Sequence, residues 1–393
     1  MRKKIMLIVP MLHQGGFERI CIMTARLLEK EHDVTVVVFS LEDLAFDISG
    51  LTVIDLGLEA KSGKLGKILN VLKRGRKLTA LQKKLGIEVS YSFGMTANIA
   101  NALSFGAKKK ITACHSFEEI KKKGYMKLIS RHSDKVLCCA KKMADMVVET
   151  YGFQNIVPLW NPCDIDGIIK QSKETQKEDL SFFETTDTVL VSMGREDDVK
   201  GFWHLLKVFR RICEQKSDVR LAIVGDGGFE EYKELAGRLK IKDKVCFTGL
   251  KKNPFPYLVN SDLYLLTSLS EGLPNALVEA MALSVPIVSV NCLSGPAEIL
   301  HEEWKTAEKK TEIFEADYGI LTPVLSEEKN MEFSEKDGKI CLEEGEEKLA
   351  QAVAELLENQ KLYQKYKDVG CKRAGDFSKE QYMSRLLKIM DVK

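Results

Sequence analysis

At 393 residues the chain is longer than one hydrophobic core usually serves, which predicts two domains. Hydrophobic residues make up 45 % of the chain and charged residues 30 %, a composition typical of globular proteins. No apolar run is long enough to span a bilayer and no signal-peptide pattern follows Met1, so we expect a cytoplasmic protein. The ten cysteines form no CxxC pair, which favours reduced core thiols over disulfides or a zinc site.

The net charge of +2 conceals an uneven distribution of charge along the chain. Residues 1–170 hold 27 Lys and Arg against 17 Asp and Glu, whereas the rest of the chain holds 32 against 40. The first half is therefore basic and can face an anionic surface. We expect no nucleic-acid partner.

Apolar, β-rich runs alternate with helical stretches over the predicted first domain, residues 1–165. The runs are "KIMLIVP", "VTVVVF", "LTVIDLG", "IEVSYSF", "KKKITACH" and "KVLCCA". Near-continuous apolar strands separated by helices are typical of a parallel sheet covered on both faces. This alternation predicts a doubly wound, Rossmann-like α/β domain.

The densest basic stretch, residues 61–86, also carries Ile and Leu at helical spacing. Such a helix can lie on an anionic membrane, with its lysines near the lipid headgroups. It can equally cover a sheet with its lysines solvated, and we favour this second role as the structural one. Both roles can hold for one helix.

A polar, charged connection at 166–187 is interpreted as a linker, after which the strand and helix pattern restarts over 188–375. The strand-like runs here are "TVLVSMG", "VRLAIVGDG", "VCFTGL", "DLYLLTS" and "VPIVSVN". The last segment, 376–393, is expected to be a helix that crosses back to the first domain. Because parallel α/β sheets bind ligands at the carboxyl ends of their strands, two such domains should face each other across a ligand-binding cleft.

Several candidate ligand-binding residues follow predicted strands. Gly15 and Gly16 open a helix whose amides can attract phosphate, although they do not form the GxGxxG fingerprint and can also be a plain turn. After Gly194, Arg195 and Lys200 can clamp a diphosphate. Gly225 lies in a turn that either approaches a ligand or only reverses the chain.

The stretch "SEGLPNALVEAM" places Glu271 before a tight loop and Glu279 inside the helix that follows. The first amides of that helix have no intrahelical partner and suit a phosphate. The two acids can then accept hydrogen bonds from hydroxyls at opposite ends of one ligand, as in a nucleotide sugar. The alternative is that Glu271 is a helix cap and Glu279 an exposed helical acid.

Taken with its surroundings, the stretch "SEGLPNALVEAMALSVPIVSVNCLSGPAEIL" resembles the signature of the family-4 retaining glycosyltransferases, which have the GT-B fold. The resemblance extends, in the family's order, to "GGFER", "WNPCD", "GREDDVKG", "VGDGG" and "FTGLKKN". It departs from the family in the acidic "EDDV" before Lys200 and in a longer, charged segment at 302–345.

The resemblance implies roles for the candidate residues in a metal-independent transfer from a UDP-sugar. Glu279 would hold the ribose, Glu271 the donor sugar, and Arg195 and Lys200 the diphosphate. Gly16 would let its loop approach the phosphates, and the amides of Asn275, Ala276 and Leu277 would complete the phosphate cradle. The other residues expected to bind the donor are Gly15, Gly194, Gly225, Gly272, Leu273 and Pro274. His115 resembles the family's acceptor-side histidine, the alternative being an ordinary histidine at a strand end.

The family resemblance also implies a hexose or N-acetylhexosamine as the transferred sugar and a glycan, polyprenyl-linked in the relevant subgroup, as the acceptor. The basic first half would then bind the inner face of the cell membrane. Two other functions remain open: a UDP-sugar epimerase of the same fold, and a non-catalytic sugar-nucleotide-binding subunit of a polysaccharide assembly.

Overall fold

The computed structural model of the protein describes residues 2–13, 15–42, 44–59, 62–174 and 179–391, without the side chains of 64 and 65. The chain forms two compact units. One consists of Met1–Pro162 and Glu380–Lys393, and the other of Cys163–Lys379.

The first unit is built from seven strands with helices between most of them. The strands are β1 (Lys4–Val9), β2 (Asp33–Val38), β3 (Thr52–Asp55), β4 (Val89–Phe93), β5 (Lys109–Cys114), β6 (Lys135–Cys138) and β7 (Ile156–Pro158). The helices are α1 (Gly16–Leu28), α2 (Lys64–Leu85), α3 (Met95–Ala102), α4 (Phe117–Ile120), α5 (Lys123–His132) and α6 (Lys141–Tyr151).

All seven strands join one parallel sheet in the order β3-β2-β1-β4-β5-β6-β7. Alternate residues of the central strand β1 enter two different cores, with Ile5 and Leu7 in one and Met6 and Ile8 in the other. Because side chains alternate across a strand, this division places a hydrophobic layer on each face of the sheet. The prediction of a doubly wound α/β domain is confirmed.

The second unit repeats this architecture with additional elements at its end. Its strands are β8 (Thr188–Met193), β9 (Val219–Val224), β10 (Val245–Gly249), β11 (Leu263–Leu266), β12 (Ile287–Val290), β13 (Phe314–Glu315), β14 (Ile320–Thr322), β15 (Ser334–Lys336) and β16 (Lys339–Cys341). Its helices are α7 (Ile165–Ser172), α8 (Phe202–Gln215), α9 (Glu230–Arg238), α10 (Phe255–Val259), α11 (Asn275–Ala282), α12 (Pro296–Leu300), α13 (Trp304–Ala307), α14 (Glu344–Glu358) and α15 (Gln360–Ala374).

The second sheet has the order β10-β9-β8-β11-β12-β14-β13 and is parallel except for β13, which pairs antiparallel with β14. The charged segment at 302–345 contains β13 and β14 and the antiparallel hairpin of β15 and β16. Glu214 of α8 accepts the backbone N–H of Ile340 at 3.0 Å, and Ile340 joins the core of this unit. The segment is therefore part of the packed unit.

The final helix, α16 (Lys379–Met390), adds to the core of the first unit although it follows the second unit in sequence. Tyr382, Leu386 and Met390 recur at helical spacing and are buried in that core. The Tyr382 hydroxyl also lies 2.9 Å from the hydroxyl of Thr24 on α1. The first unit is thus assembled from the two ends of the chain.

The segment predicted as a linker, 166–187, differs from that prediction. It contains most of α7, which is capped by the Asp164 side chain and buries Ile168. Further along, Asp187 pairs with Arg220 of β9 at 2.7 Å. The chain instead passes between the units at 162 and 163, because α7 packs on α10 and α11 of the second unit and buries Ile168.

Each sheet has one point where the order of its strands reverses. In the first sheet it lies between β1 and β4, and in the second between β8 and β11. Open α/β sheets bind ligands outside the carboxyl ends of their strands at such a point. The residues that follow β1, β4, β8 and β11 are therefore where each unit is expected to hold a ligand.

Within the described ranges, no helix combines the length and apolar character needed to cross a membrane. The ten cysteines, all of which lie within the described residues, form no disulfide, and six of them are buried. Cys341, on β16, is exposed, so the expectation of core thiols does not hold for every cysteine.

Candidate functional site

Lys200 and Glu271 form an ion pair at the reversal point of the second sheet. Lys200 ends a short 3-10 turn after β8, and Glu271 lies in the loop after β11. The Lys200 Nζ is 2.6 Å from the Glu271 Oε1, and the two side chains are 23 % and 13 % exposed. A cation and an acid that the sequence assigned to one ligand are therefore in direct contact.

The position of Lys200 is fixed by glycines and by a threonine. A Cβ at Gly194 would lie 3.1 Å from the Lys200 Cδ and Cε, so the absence of a side chain at Gly194 gives the aliphatic stem its place. Gly201 has a φ of +61°, and a Cβ there would overlap the carbonyl oxygen of Thr267. The Thr267 hydroxyl donates to the Lys200 carbonyl at 2.9 Å. Lys200 is thus held between the ends of β8 and β11.

Gly225 allows the ends of two neighbouring strands to meet closely. The Gly194 N–H donates to the Val224 carbonyl at 3.0 Å, and a Cβ at Gly225 would overlap the Gly194 carbonyl oxygen. Gly225 therefore has a structural reason to be glycine. Its predicted approach to the donor stays a prediction.

The acidic residues between Arg195 and Lys200 are engaged within the second unit. The Glu196 carboxylate accepts the Phe229 N–H at 2.8 Å, and the Asp197 carboxylate accepts the Val199 N–H at 3.1 Å. Asp198 pairs with Lys329, from the charged segment at 302–345, at 2.9 Å. An ion pair thus connects the acidic stretch before Lys200 to the charged segment at 302–345, the two features in which the sequence departs from the family pattern.

Arg195 is more exposed than Lys200. Its side chain is 68 % exposed, and its guanidinium lies 3.7 Å from the Asp197 carboxylate. Each of the two predicted diphosphate-binding cations therefore faces a carboxylate of its own unit. A bound diphosphate would have to share or replace these partners.

The loop that begins at Glu271 is supported by the turn before α12, which sequence reasoning did not assign to the site. The Glu271 N–H donates to the Leu293 carbonyl at 2.7 Å, and the Ser294 hydroxyl donates to the Gly272 carbonyl at 2.8 Å. Gly295 has a φ of +101°, and a Cβ there would overlap Pro274. The "SGP" turn signal in the sequence was the available indication of this support.

Helix α11 begins directly after this loop. No side chain caps its start and its first turn holds no acid. One amide of the predicted phosphate cradle is already used, because the Leu277 N–H donates to the Pro274 carbonyl at 3.0 Å. Leu277 itself is fully buried, so its side chain belongs to the core rather than to the ligand surface.

Glu279 is buried, at 5 % exposure, which is not the exposed helical acid of the alternative interpretation. Burial raises the pKa of the Tyr264 hydroxyl, and the negative charges of Glu271 and Glu279 raise it further. Both carboxylates therefore lie close enough to Tyr264, on β11, for their charges to raise its pKa. The Tyr264 hydroxyl in turn accepts the N–H of Met193, at the end of β8, at 3.3 Å. Tyr264 was not among the predicted site residues.

At the reversal point of the first sheet, Gly15 and Gly16 differ in their surroundings. A Cβ at Gly15 would overlap the buried Glu18 carboxylate, whereas a Cβ at Gly16 would meet nothing within 4 Å. The Glu18 Oε1 also lies 3.2 Å from the His13 Nδ1. The start of α1 thus has its own carboxylate beside it, which the glycine pattern alone did not predict.

His115 follows β5 and lies against aromatic rings. Its ring stacks on Phe93, at the end of β4, with centroids 5.8 Å apart, and on Phe17, in the first turn of α1, with centroids 6.3 Å apart. Burial lowers the pKa of His115 to about 4, an effect that Asn161 opposes only in part. The imidazole is therefore neutral at pH 7. Phe17 is next to Gly16, so the structure brings these two predicted site residues close together.

Two family models match the chain. The model described as Glycosyltransferase Family 4 matches residues 14–166, and the one described as Glycosyl transferases group 1 matches residues 172–311. Together they cover roughly three quarters of the 393 residues.

Similar proteins include two curated relatives. An uncharacterized glycosyltransferase of Methanocaldococcus jannaschii is 34 % identical over 227 residues, which are 58 % of this chain and 54 % of that protein. An N-acetylgalactosamine-N,N'-diacetylbacillosaminyl-diphospho-undecaprenol 4-alpha-N-acetylgalactosaminyltransferase of Campylobacter jejuni is 23 % identical over 99 % of both chains.

Among solved structures, Anabaena HepE in complex with UDP superposes with a TM-score of 0.73 at 18 % identity, covering 99 % of both chains. At this identity the likeness shows a shared fold. The two family models and this fold agree with the motifs of the sequence, and the chain belongs to family 4 of the glycosyltransferases, with the GT-B fold.

Proposed function

We propose that the protein is a retaining glycosyltransferase that moves a hexose or N-acetylhexosamine from a UDP-sugar to a polyprenyl-linked glycan in surface polysaccharide or oligosaccharide biosynthesis. The ion pair of Lys200 and Glu271 at the reversal point of the second sheet is the observation that carries the proposal. The UDP in HepE and the undecaprenol-linked substrate in the name of the Campylobacter relative support the choice of donor and acceptor.

The residues of the second unit suit the departure of a nucleoside diphosphate. When the sugar leaves, negative charge develops on the diphosphate, and a positioned cation such as Lys200 can stabilise it. Glu271, which holds Lys200, can accept hydrogen bonds from sugar hydroxyls on its remaining lone pairs. Glu279 can do the same for the ribose. Transfer without a metal ion is part of the proposal.

The experiment measures sugar transfer from a panel of UDP-sugars to undecaprenyl-diphosphate-linked glycans. We expect Lys200→Ala, Glu271→Gln and Glu279→Gln each to lower kcat by about 10²–10³-fold, the usual effect of removing a group that stabilises transition-state charge. Lys233→Ala is the matched control, because Lys233 also pairs with an acid, Glu230 at 2.9 Å, but on α9.

Transfer rates of the three site variants equal to that of Lys233→Ala would overturn the assignment. A new sugar nucleotide formed from UDP-sugar alone would favour the epimerase. Tight UDP binding without turnover on any acceptor would favour the non-catalytic subunit.

We further propose that α2 binds the inner, anionic face of the cell membrane. The side chains of Ile68, Leu69 and Leu72 are 59 %, 58 % and 45 % exposed. Exposed cations lie on the same helix, at Lys67, Lys73, Arg76, Lys83 and Lys84. Apolar groups flanked by cations are typical of a helix that lies on anionic lipid.

The other side of α2 is anchored to the first unit. Leu78 is buried in its core, and the Asn70 side chain donates to the Glu59 carbonyl at 2.6 Å. The helix therefore covers the sheet and still presents an apolar strip, so both predicted roles fit one helix. Elsewhere in the basic first half, Lys110 and Lys121 have local partners: Lys110 donates to the Ala102 carbonyl at 2.9 Å, and Lys121 pairs with Glu118 at 2.6 Å.

Vesicle co-sedimentation tests the membrane surface. Wild-type protein should sediment with vesicles that contain anionic lipid, and less so as salt rises, because exposed charges are screened. Leu69→Asp combined with Leu72→Asp should abolish sedimentation, whereas Leu250→Asp, at an exposed leucine of the second unit, should leave it unchanged. Sedimentation that is indifferent to lipid charge, to salt and to the α2 variants would refute the proposal.

A further inference from the structure

Glu119 is a buried carboxylate behind His115 that has no role in the function described so far. It lies at the end of α4 and is 8 % exposed. Its Oε2 accepts the backbone N–H of His115 at 3.3 Å. The carboxylate thus contacts the segment that carries the predicted acceptor-side histidine.

The contact resembles a helix-capping arrangement, displaced by one residue. The Ser116 hydroxyl caps α4 by accepting the Glu119 N–H at 3.3 Å. In an ordinary capping box the acid would return a bond to the N–H of the cap residue itself, Ser116. Here it bonds the N–H of His115 instead. The acid therefore fixes the backbone at the histidine, where β5 ends.

The surroundings of Glu119 are mostly apolar or weakly polar. Burial raises the pKa of its carboxyl to about 7, while the His115 N–H, the Cys114 thiol and the charge of Lys122 lower it to a smaller extent. The titratable groups that face it come from each neighbouring element: Cys114 on β5, Cys138 on β6, Lys122 after α4 and Tyr125 on α5. On α6, the Tyr151 hydroxyl donates to the Ile120 carbonyl at 2.9 Å.

We propose that Glu119 is a positioning residue, which holds the backbone of His115 through its carboxylate and so places the imidazole for the acceptor. The role at the acceptor rests on the proposed function, whereas the hydrogen bond from the His115 N–H to Glu119 does not depend on it. An exposed capping acid would stabilise the fold, but a buried carboxylate is costly. A costly charge beside a candidate site residue is typical of a group kept for function.

The hold on His115 can be observed by NMR in the full chain without any substrate. Protein labelled with [15N]histidine should give backbone signals from six histidines, and the His115→Gln variant identifies the one from His115. On titration from pH 5.5 to 8.5, that amide signal should move with a midpoint near 7 as Glu119 ionises. The imidazole of His115, with its pKa of about 4, titrates outside this range.

In Glu119→Gln the transition near pH 7 should disappear from the His115 amide, and in Glu118→Gln it should remain. Glu118 is the matched control, because it is exposed and pairs with Lys121. A transition that persists in Glu119→Gln, or a wild-type signal that does not move, would overturn the proposal.

Sugar transfer supplies the second readout. We expect the kcat of the wild type to fall as pH drops below 7, and that of Glu119→Gln to be roughly tenfold lower at pH 8 and independent of pH from 6 to 8, since a small misplacement of a reacting group is costly. Equal pH profiles for the two proteins would contradict a positioning role at the acceptor. If the wild type transfers no sugar at all, the proposed function fails, and the NMR titration still decides whether Glu119 holds His115.

Discussion

Two pairs of titratable residues lie at the carboxyl ends of strands, one pair in each unit. In the second unit Lys200 and Glu271 hold each other, so neither has to be placed from solvent when a ligand arrives. In the first unit, Glu119 and His115 have pKa values displaced in opposite directions by burial, to about 7 and about 4. Burial disfavours the charged form of both groups, which is why the two pKa values move in opposite directions.

The pKa of Glu119 predicts how stability depends on pH. Because this pKa is higher in the folded state than the ordinary 4.5, the folded protein binds more protons between pH 4.5 and 7, and its stability falls as pH rises through that window. The cost reaches roughly 3 kcal/mol above pH 7. Glu119→Gln lacks this titration, so its stability relative to the wild type should increase from pH 5 to pH 8.

Denaturant unfolding of both proteins at pH 5, 6, 7 and 8 measures this difference, with Glu118→Gln as the control that should follow the wild type. A variant that is less stable than the wild type by the same amount at every pH would indicate an ordinary structural contact.

Local motifs in the sequence were enough to select Glu271, Glu279, Gly194, Arg195 and Lys200 as candidate site residues. The residues that hold these side chains in place could not be identified in this way. Thr267, Tyr264, Ser294 and Gly295 act through contacts with residues that are distant in the sequence. A single sequence records local spacing, whereas such contacts depend on which strands become neighbours.

Among the elements, the strands were the most readily predicted, since a buried parallel strand is a short apolar run. Helices and strands within polar segments were harder to predict from the sequence. The predicted linker contains most of α7, and the charged segment at 302–345 contains the hairpin of β15 and β16. Ion pairs to other elements, such as Lys329 with Asp198 at 2.9 Å, help to order the charged segment. Composition alone could not reveal them.

For the molecule as a whole, the division into units does not follow the order of the chain. The first unit takes its last helix from the C-terminal end, and Leu386 of that helix is fully buried in its core. We expect Leu386→Ala to lower the free energy of unfolding by about 2–5 kcal/mol, the usual cost of such a cavity. Ser384→Ala, at an exposed position of the same helix, should have little effect.

Thermal unfolding with tryptophan fluorescence tests this contribution, because Trp160 belongs to the first unit and lies 4.9 Å from the guanidinium of Arg385 on α16. Melting temperatures that are the same for Leu386→Ala and Ser384→Ala would show that α16 does not stabilise the first unit.

The return of the chain in α16 has a consequence for biosynthesis. A ribosome has to make the whole of residues 163–379 before it reaches Tyr382, Leu386 and Met390, which complete the core of the first unit. The core of the first unit can therefore be completed only after every residue of the second unit has been made. A chain that ends shortly before residue 380 would lack these three side chains, and the core of its first unit would stay incomplete.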